Sequence, residues 1–296
     1  MTTQLHPSQS TDAPDLRIIP LELLVEHEYN DAQRTAPLAQ RLEAEGLLKN
    51  PPIVAPLSED DPSTGSGRDP RFVVLDGANR TTALLHLGYP HTLAQVVKYE
   101  APYVILSTWH HVVTGIDLAE FTGELKRVAG LEFLQTVLTR ARAGLASREY
   151  LAYAIRADGK VFATRPAAPR RSIHERNRLL NALVDTYKDQ GKLFRATTDN
   201  LDEARERYTD FTGLVIFPNY DFAEVLTLAR DGELLPTGLT RHLIQGRALR
   251  TNYSMSELKS SDSLEAKNAR LQEWLKKKLS SKELRFYGES TYLFDE

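Results

Sequence analysis

The segment Val73–Gly88, VVLDGANRTTALLHLG, constrains the chain more than any other stretch. Its apolar start, within FVVL, reads as a buried strand that delivers Asp76 to its C-terminal end. Gly77 then permits a backbone conformation closed to other residues. A helix starts at Ala78 or Asn79 and stops at Gly88. Strands and short helices alternate along the rest of the chain as they do here, which reads as the α/β (α+β) class. The first N–H groups of such a helix lack intrahelical acceptors and carry partial positive charge, which favours an anion there. Arg80 in the first turn can fork onto phosphate oxygens, and Asp76 is placed to hold a magnesium ion bridging them. A plainer reading stays open, in which this is a strand-to-helix turn with an Asx cap and an Asp76–Arg80 ion pair.

Composition narrows the classes around that unit. The 296 residues are 41% hydrophobic, enough for one large domain or two modest ones. There is no cysteine, which excludes disulfides, thiolate zinc sites, iron–sulfur clusters and cysteine nucleophiles, and a cytoplasmic location fits best. With 37 basic against 40 acidic residues, the net charge of −3 gives no overall pull toward nucleic acid or an anionic membrane. No apolar run is long enough to span a bilayer. The opening residues 1–15 are polar and read as a flexible tail rather than a secretory signal.

Periodicity orders the remainder. LRIIP reads as a strand, Thr35–Gly46 as a helix, PPIVAPL as a strand, and residues 58–70 as a mobile loop to the strand RFVVLD. TLAQVVKY and YVILSTWHHVV read as two further strands. Residues 16–115 therefore form one compact α+β unit, with 116–296 as a second α/β part. In that part, Asp117–Arg142 reads as one or two helices, and EYLAYAIRADGKVFATR as a hairpin turning at Asp158-Gly159. The amphipathic run from Ser172 then leads into alternating strands and helices. A charged helix spans Ser263–Leu279.

Four other places carry chemistry, each with a bland alternative. Glu28, after an apolar strand, can accept a proton from a substrate hydroxyl, or it is an ordinary loop acid. Lys49, before two prolines that hold the chain extended, can reach a phosphate, or it is a solvated lysine. In Thr108-Trp109-His110-His111, strand alternation puts Trp109 and His111 on one face and His110 on the other, which argues against a shared metal ion. Trp109 can wall a small pocket, or the group is core packing. Thr240, Arg241 and His242 cluster after a proline-glycine turn and suit a carboxylate or phosphate, or form a solvated strand. The Lys276–Lys278 run has no interleaved aromatic residues for base stacking, so it reads as a solvated helix face. Neither a GxxxxGK[ST] loop nor a protein-kinase motif set is present.

Taken in order, IIPLELLVEHEYN, GLLKNPPIVA, FVVLDGANRTTALLHLG and STWHH resemble the ParB/sulfiredoxin-like fold. More narrowly, they resemble the free serine kinases, which phosphorylate L-serine to O-phospho-L-serine and include siderophore-locus regulators. The similarity continues through LPTGLTRHLIQGRALR to RFYGESTYLFDE. The resemblance implies an active site in a cleft between the ParB-like unit and the C-terminal part, with ATP or ADP as phosphoryl donor and Mg2+ as cofactor. It implies Glu28 as catalytic acid/base, Asp76 at the magnesium, and Gly77, Ala78, Asn79 and Arg80 on the nucleotide phosphates. It further implies Lys49 as a nucleotide contact, and Trp109, Thr240, Arg241 and His242 around L-serine. The chain departs from the family's Asp-Gly-x-His-Arg turn in having Asn79 for the histidine. Asparagine can cap and donate a hydrogen bond, but it carries no charge and exchanges no proton near neutrality. Two alternatives remain at this point: a non-catalytic, nucleotide-sensing DNA-binding regulator, and a kinase for another small hydroxylated substrate.

Overall fold

The short apolar runs of the first hundred residues pair into one mixed five-stranded sheet. In spatial order its strands are Leu16–Pro20, His91–Val96, Ile53–Pro56, Phe72–Asp76 and Leu24–Val25. The computed structural model describes residues 13–30, 32–57, 71–168 and 172–286. Residues 1–12 of the expected tail, the expected loop 58–70 and the closing stretch 287–296 lie outside the described residues. The strands on either side of that loop, Ile53–Pro56 and Phe72–Asp76, are antiparallel neighbours.

By contacts the chain divides into two compact units, and they are not consecutive halves. Among the described residues, the first comprises those up to Val25, those between Asn30 and Leu106, and those from Ile244 onward; the second comprises Glu26–Asn30 and those from Leu106 to Leu243. Relative to a division at residue 115, the C-terminal helices return to the first unit, and the stretch carrying Glu28 leaves it. The reason is burial. Met255, Leu258 and Leu271 share a core with Leu16, Ile18, Leu42, Leu84 and Leu93. The final helix, Leu264–Ser280, is N-capped by Ser263 and packs beside the edge strand Leu16–Pro20. Asn268 there satisfies both backbone groups of Ile18, accepting its N–H at 2.9 Å and donating to its carbonyl at 3.0 Å. An edge strand otherwise leaves such groups open.

The second unit is built on a six-stranded antiparallel sheet in the order Lys192–Ala196, His110–Thr114, Phe211–Ile216, Ala152–Arg156, Val161–Pro166 and Leu131–Thr136. The hairpin expected at Asp158-Gly159 forms, with Gly159 at φ +84°. The helix Ile173–Asp185 opens with a capping box between Ser172 and Glu175. Two expectations give way. Residues 117–142 hold the helix Leu118–Lys126, then the edge strand Leu131–Thr136, then the start of the helix Leu138–Ala146. YVILSTWHHVV is two strands, Val104–Thr108 and His110–Thr114, broken at Trp109, whose N–H donates to the Leu239 carbonyl at 2.8 Å. No helix among the described residues is long and apolar enough to cross a membrane.

Candidate active site

In the first unit, the strand Phe72–Asp76 runs into the helix Ala78–His86 through Gly77 at φ +94°. Glycine is needed there twice over. The conformation is left-handed, and a Cβ would stand 3.0 Å from the Pro52 Cα and Cβ. The helix starts at Ala78 and no side chain caps it, so the Asx cap of the plainer reading is absent. The ion pair of that reading is present: Arg80 donates to Asp76 at 3.4 Å. Arg80 also donates to the Asn50 carbonyl, and Arg247 donates to the same Asp76 carboxylate. Two guanidinium groups against one carboxylate leave this turn net positive beside a helix N-terminus. Asn79 sits in the first helical turn, half-buried. Lys49 lies nearby in sequence but points to Glu45, at 2.8 Å.

Asp76 is a lone carboxylate, and among the described residues no three acidic or imidazole groups gather into a metal cage. Magnesium is commonly held by one or two carboxylates together with substrate phosphates. A single aspartate beside a positively charged turn fits that shared coordination.

In the second unit, Glu28 pairs with Leu235 in a short parallel bridge. Its side chain is 14% exposed. Its carboxylate accepts the Gly238 N–H at 3.0 Å and the Thr240 N–H. Those two donors fix the carboxylate and leave lone pairs for a further partner. The His27 Nε2 lies 2.7 Å from the Thr240 hydroxyl, and its ring meets His242 edge-on at 5.2 Å. Arg241 instead stacks over the Trp109 ring, 4.6 Å from its centroid. Along the strand Thr240–Ile244, alternate residues face opposite sides. Thr240 and His242 therefore turn to the His27–Glu28 side, and Arg241 to Trp109. Trp109 also walls a cavity of about 130 Å³ with Arg195, Asn200 and Arg207 among its lining residues. Thr240, Arg241 and His242 are not part of that lining.

The histidines of the Thr108–His111 stretch serve packing. The Phe217 N–H donates to the His110 Nδ1 at 3.3 Å. His111 lies between the Tyr187 hydroxyl, 3.0 Å from Nδ1, and the Thr237 carbonyl, 3.2 Å from Nε2. Burial lowers both imidazoles to about 4, so they are neutral at physiological pH.

The sequence assigned no role to Gly238, whose N–H anchors Glu28, nor to Asn50 and Arg247 around Asp76. Gly238 had a local signal in the Pro236-Thr237-Gly238 turn, and it takes a left-handed φ of +66° there. Arg247 had none, being 171 residues from Asp76 in the chain.

Comparison with known proteins bears on these two constellations. No protein-family model matches the chain. An ATP-dependent L-serine kinase of Staphylothermus marinus is 27% identical over 110 residues, covering 37% of this chain and 40% of that relative's own length. The solved structure of a free serine kinase in complex with AMP is similar, with a TM-score of 0.66, 20% identity, and coverage of 83% of this chain and 95% of that one. This chain has the fold of the free serine kinases. SbnI of Staphylococcus aureus, solved with a C-terminal truncation, shares the fold with a TM-score of 0.65 at 20% identity, covering 91% of this chain and 97% of that one. The ParB/sulfiredoxin-like fold expected from the ordered segments is thereby borne out.

Proposed function

We propose that the chain is a free serine kinase, transferring a phosphoryl group from ATP to the hydroxyl of L-serine to give O-phospho-L-serine. The observation that carries this reading is the Glu28 carboxylate. It is held by two backbone N–H groups, largely enclosed, and flanked by His27 and Thr240 in a fold shared with free serine kinases. The curated relative is named for ATP-dependent L-serine phosphorylation, and the solved free serine kinases hold AMP or ADP. ATP is the donor assigned here, with ADP as the other to be assayed. A cytoplasmic setting, which supplies nucleotide and free amino acid, suits the reaction.

In this mechanism Glu28 accepts the proton of the serine hydroxyl as its oxygen bonds to the terminal phosphorus and the bond to the leaving nucleotide oxygen breaks. Because Gly238 and Thr240 hold the carboxylate, it needs no reorientation to act, which is how positioning lowers a barrier. Thr240 and His242 bound the same side and orient the amino acid. Gly77 lets the chain approach the phosphates closely, and the Ala78 and Asn79 N–H groups with Arg80 hold them. Asn79 supplies hydrogen bonding where the resemblance leads one to expect a histidine, so no proton transfer is assigned to it. Asp76 would hold magnesium, which when bound neutralises phosphate charge.

The test is purified protein with L-serine, Mg2+ and either ATP or ADP, with O-phosphoserine as the readout. Glu28→Gln is expected to lower turnover by a factor of about 100 or more while nucleotide binding persists. Absence of product from the wild type with both donors would remove the kinase reading. A panel of other hydroxyl amino acids, showing a higher kcat/KM for one of them, would reassign the substrate.

A further inference from the structure

We infer that Arg247 is a nucleotide-phosphate ligand, set in place by the buried amide of Gln95. The inference rests on the reading that the Asp76–Arg80 turn binds nucleotide. It adds a residue from the far end of the same unit that no motif assigns.

Charge and exposure are the first observation. Asp76 is met by two guanidinium groups, Arg80 and Arg247. A structural ion pair needs only one. Arg80 is also anchored on the Asn50 carbonyl and is 19% exposed, whereas Arg247 and Asp76 are 35% and 37% exposed. Among the described residues, Arg247 has Asp76 as its ionic partner. An exposed pair of this kind contributes little to stability.

The second observation is how firmly the backbone around Arg247 is held. Gln95, 3% exposed on the strand His91–Val96, donates through Nε2 to the Gly246 carbonyl at 3.0 Å and accepts the Ala248 N–H through Oε1 at 2.8 Å. One buried amide thus grips the chain on both sides of Arg247. Three residues on, the Arg250 N–H donates at 2.9 Å to the Asn50 side chain, the residue whose carbonyl receives Arg80. The segments at Asn50, Asp76–Arg80 and Gly246–Arg250 are therefore tied together. An amide clamp of this kind holds one solvent-reachable guanidinium ready at a helix N-terminus. A nucleoside di- or triphosphate offers several anionic oxygens to such a fork, and a guanidinium binds them bidentately. With nucleotide bound, Arg247 would exchange its Asp76 carboxylate for phosphate oxygens, and Asp76 would be left to hold a cation.

The test is calorimetric titration of the full-length protein with ADP and, separately, with adenosine. Arg247→Ala is expected to weaken ADP binding about tenfold or more, leaving adenosine affinity unchanged, and Arg247→Lys is expected to recover part of the loss. Gln95→Ala is expected to weaken ADP binding in the wild-type background and to add nothing once Arg247 is alanine, a non-additivity that a merely structural amide does not produce. Equal ADP affinity in wild type and Arg247→Ala overturns the inference, as does an equal loss of adenosine. Wild type that binds no ADP overturns it together with the nucleotide reading on which it rests.

Discussion

His111 is fully enclosed, with ring contacts to Phe217 at 4.8 Å and Tyr187 at 5.9 Å. Burial is the main cause of its lowered pKa of about 4; the nearby Arg195 and His110 charges act in the same direction, and the Thr237 carbonyl opposes them. In the unfolded chain a histidine titrates near 6.5. Between those values the unfolded state binds the proton and the folded state does not, so stability is full above about pH 6.5 and is lost as pH falls toward 4. For His111 alone the loss is about 3 kcal/mol at full extent. Urea midpoints measured at pH 7 and pH 4.5 should show it, and His111→Gln should flatten the dependence in part, since His110 is lowered for the same reason. Gly77 provides a second prediction at this scale. Gly77→Ala meets both the left-handed φ and the Pro52 ring, and should cost about 2 kcal/mol in stability. Thermal unfolding measures that cost, and ADP titration should show weaker binding alongside it.

Elements were legible where local chemistry speaks for itself. The helix from Ile173 announces its start through Ser172 and Glu175, and the final helix through Ser263. Ser172→Ala should cost about 1 kcal/mol, read from the denaturation midpoint. The strand Leu131–Thr136 was illegible for a physical reason. It lies at the sheet edge and is half-buried along most of its length, so no two-residue alternation marks it. The break at Trp109 was equally silent, because the Leu239 carbonyl that takes its N–H comes from 130 residues later. Asn268 shows an element completed from outside. Asn268→Ala leaves both Ile18 backbone groups without that partner, and should cost about 1–3 kcal/mol in urea denaturation.

At the scale of the whole molecule, the first unit closes only when the C-terminal segment returns to it. A chain ending at Leu243 loses Tyr253, Met255, Leu258 and Leu271 from the core cluster shared with Leu42, Leu48 and Leu84. Large-to-small core changes already cost 2–5 kcal/mol each, against a total stability of about 5–15 kcal/mol. Such a truncation should therefore fail to fold cooperatively, which a calorimetric scan and hydrophobic dye binding would show.

Residues near one another in the chain sufficed for the strand, glycine turn and helix at Val73–Gly88, the hairpin at Asp158-Gly159, the helix starts after Ser172 and Ser263, and, through ordered segments, the fold. These depend on residues a few positions apart, where dihedral preference, periodicity and capping act. Tertiary structure alone decided that Glu28 is held by N–H groups 210 and 212 residues away. It also decided that Asp76 faces Arg247, and that Thr240 and Arg241 turn to opposite sides. Backbone donors leave no signature in residue type, and a long-range pairing exists only after the intervening chain has folded and brought its ends together.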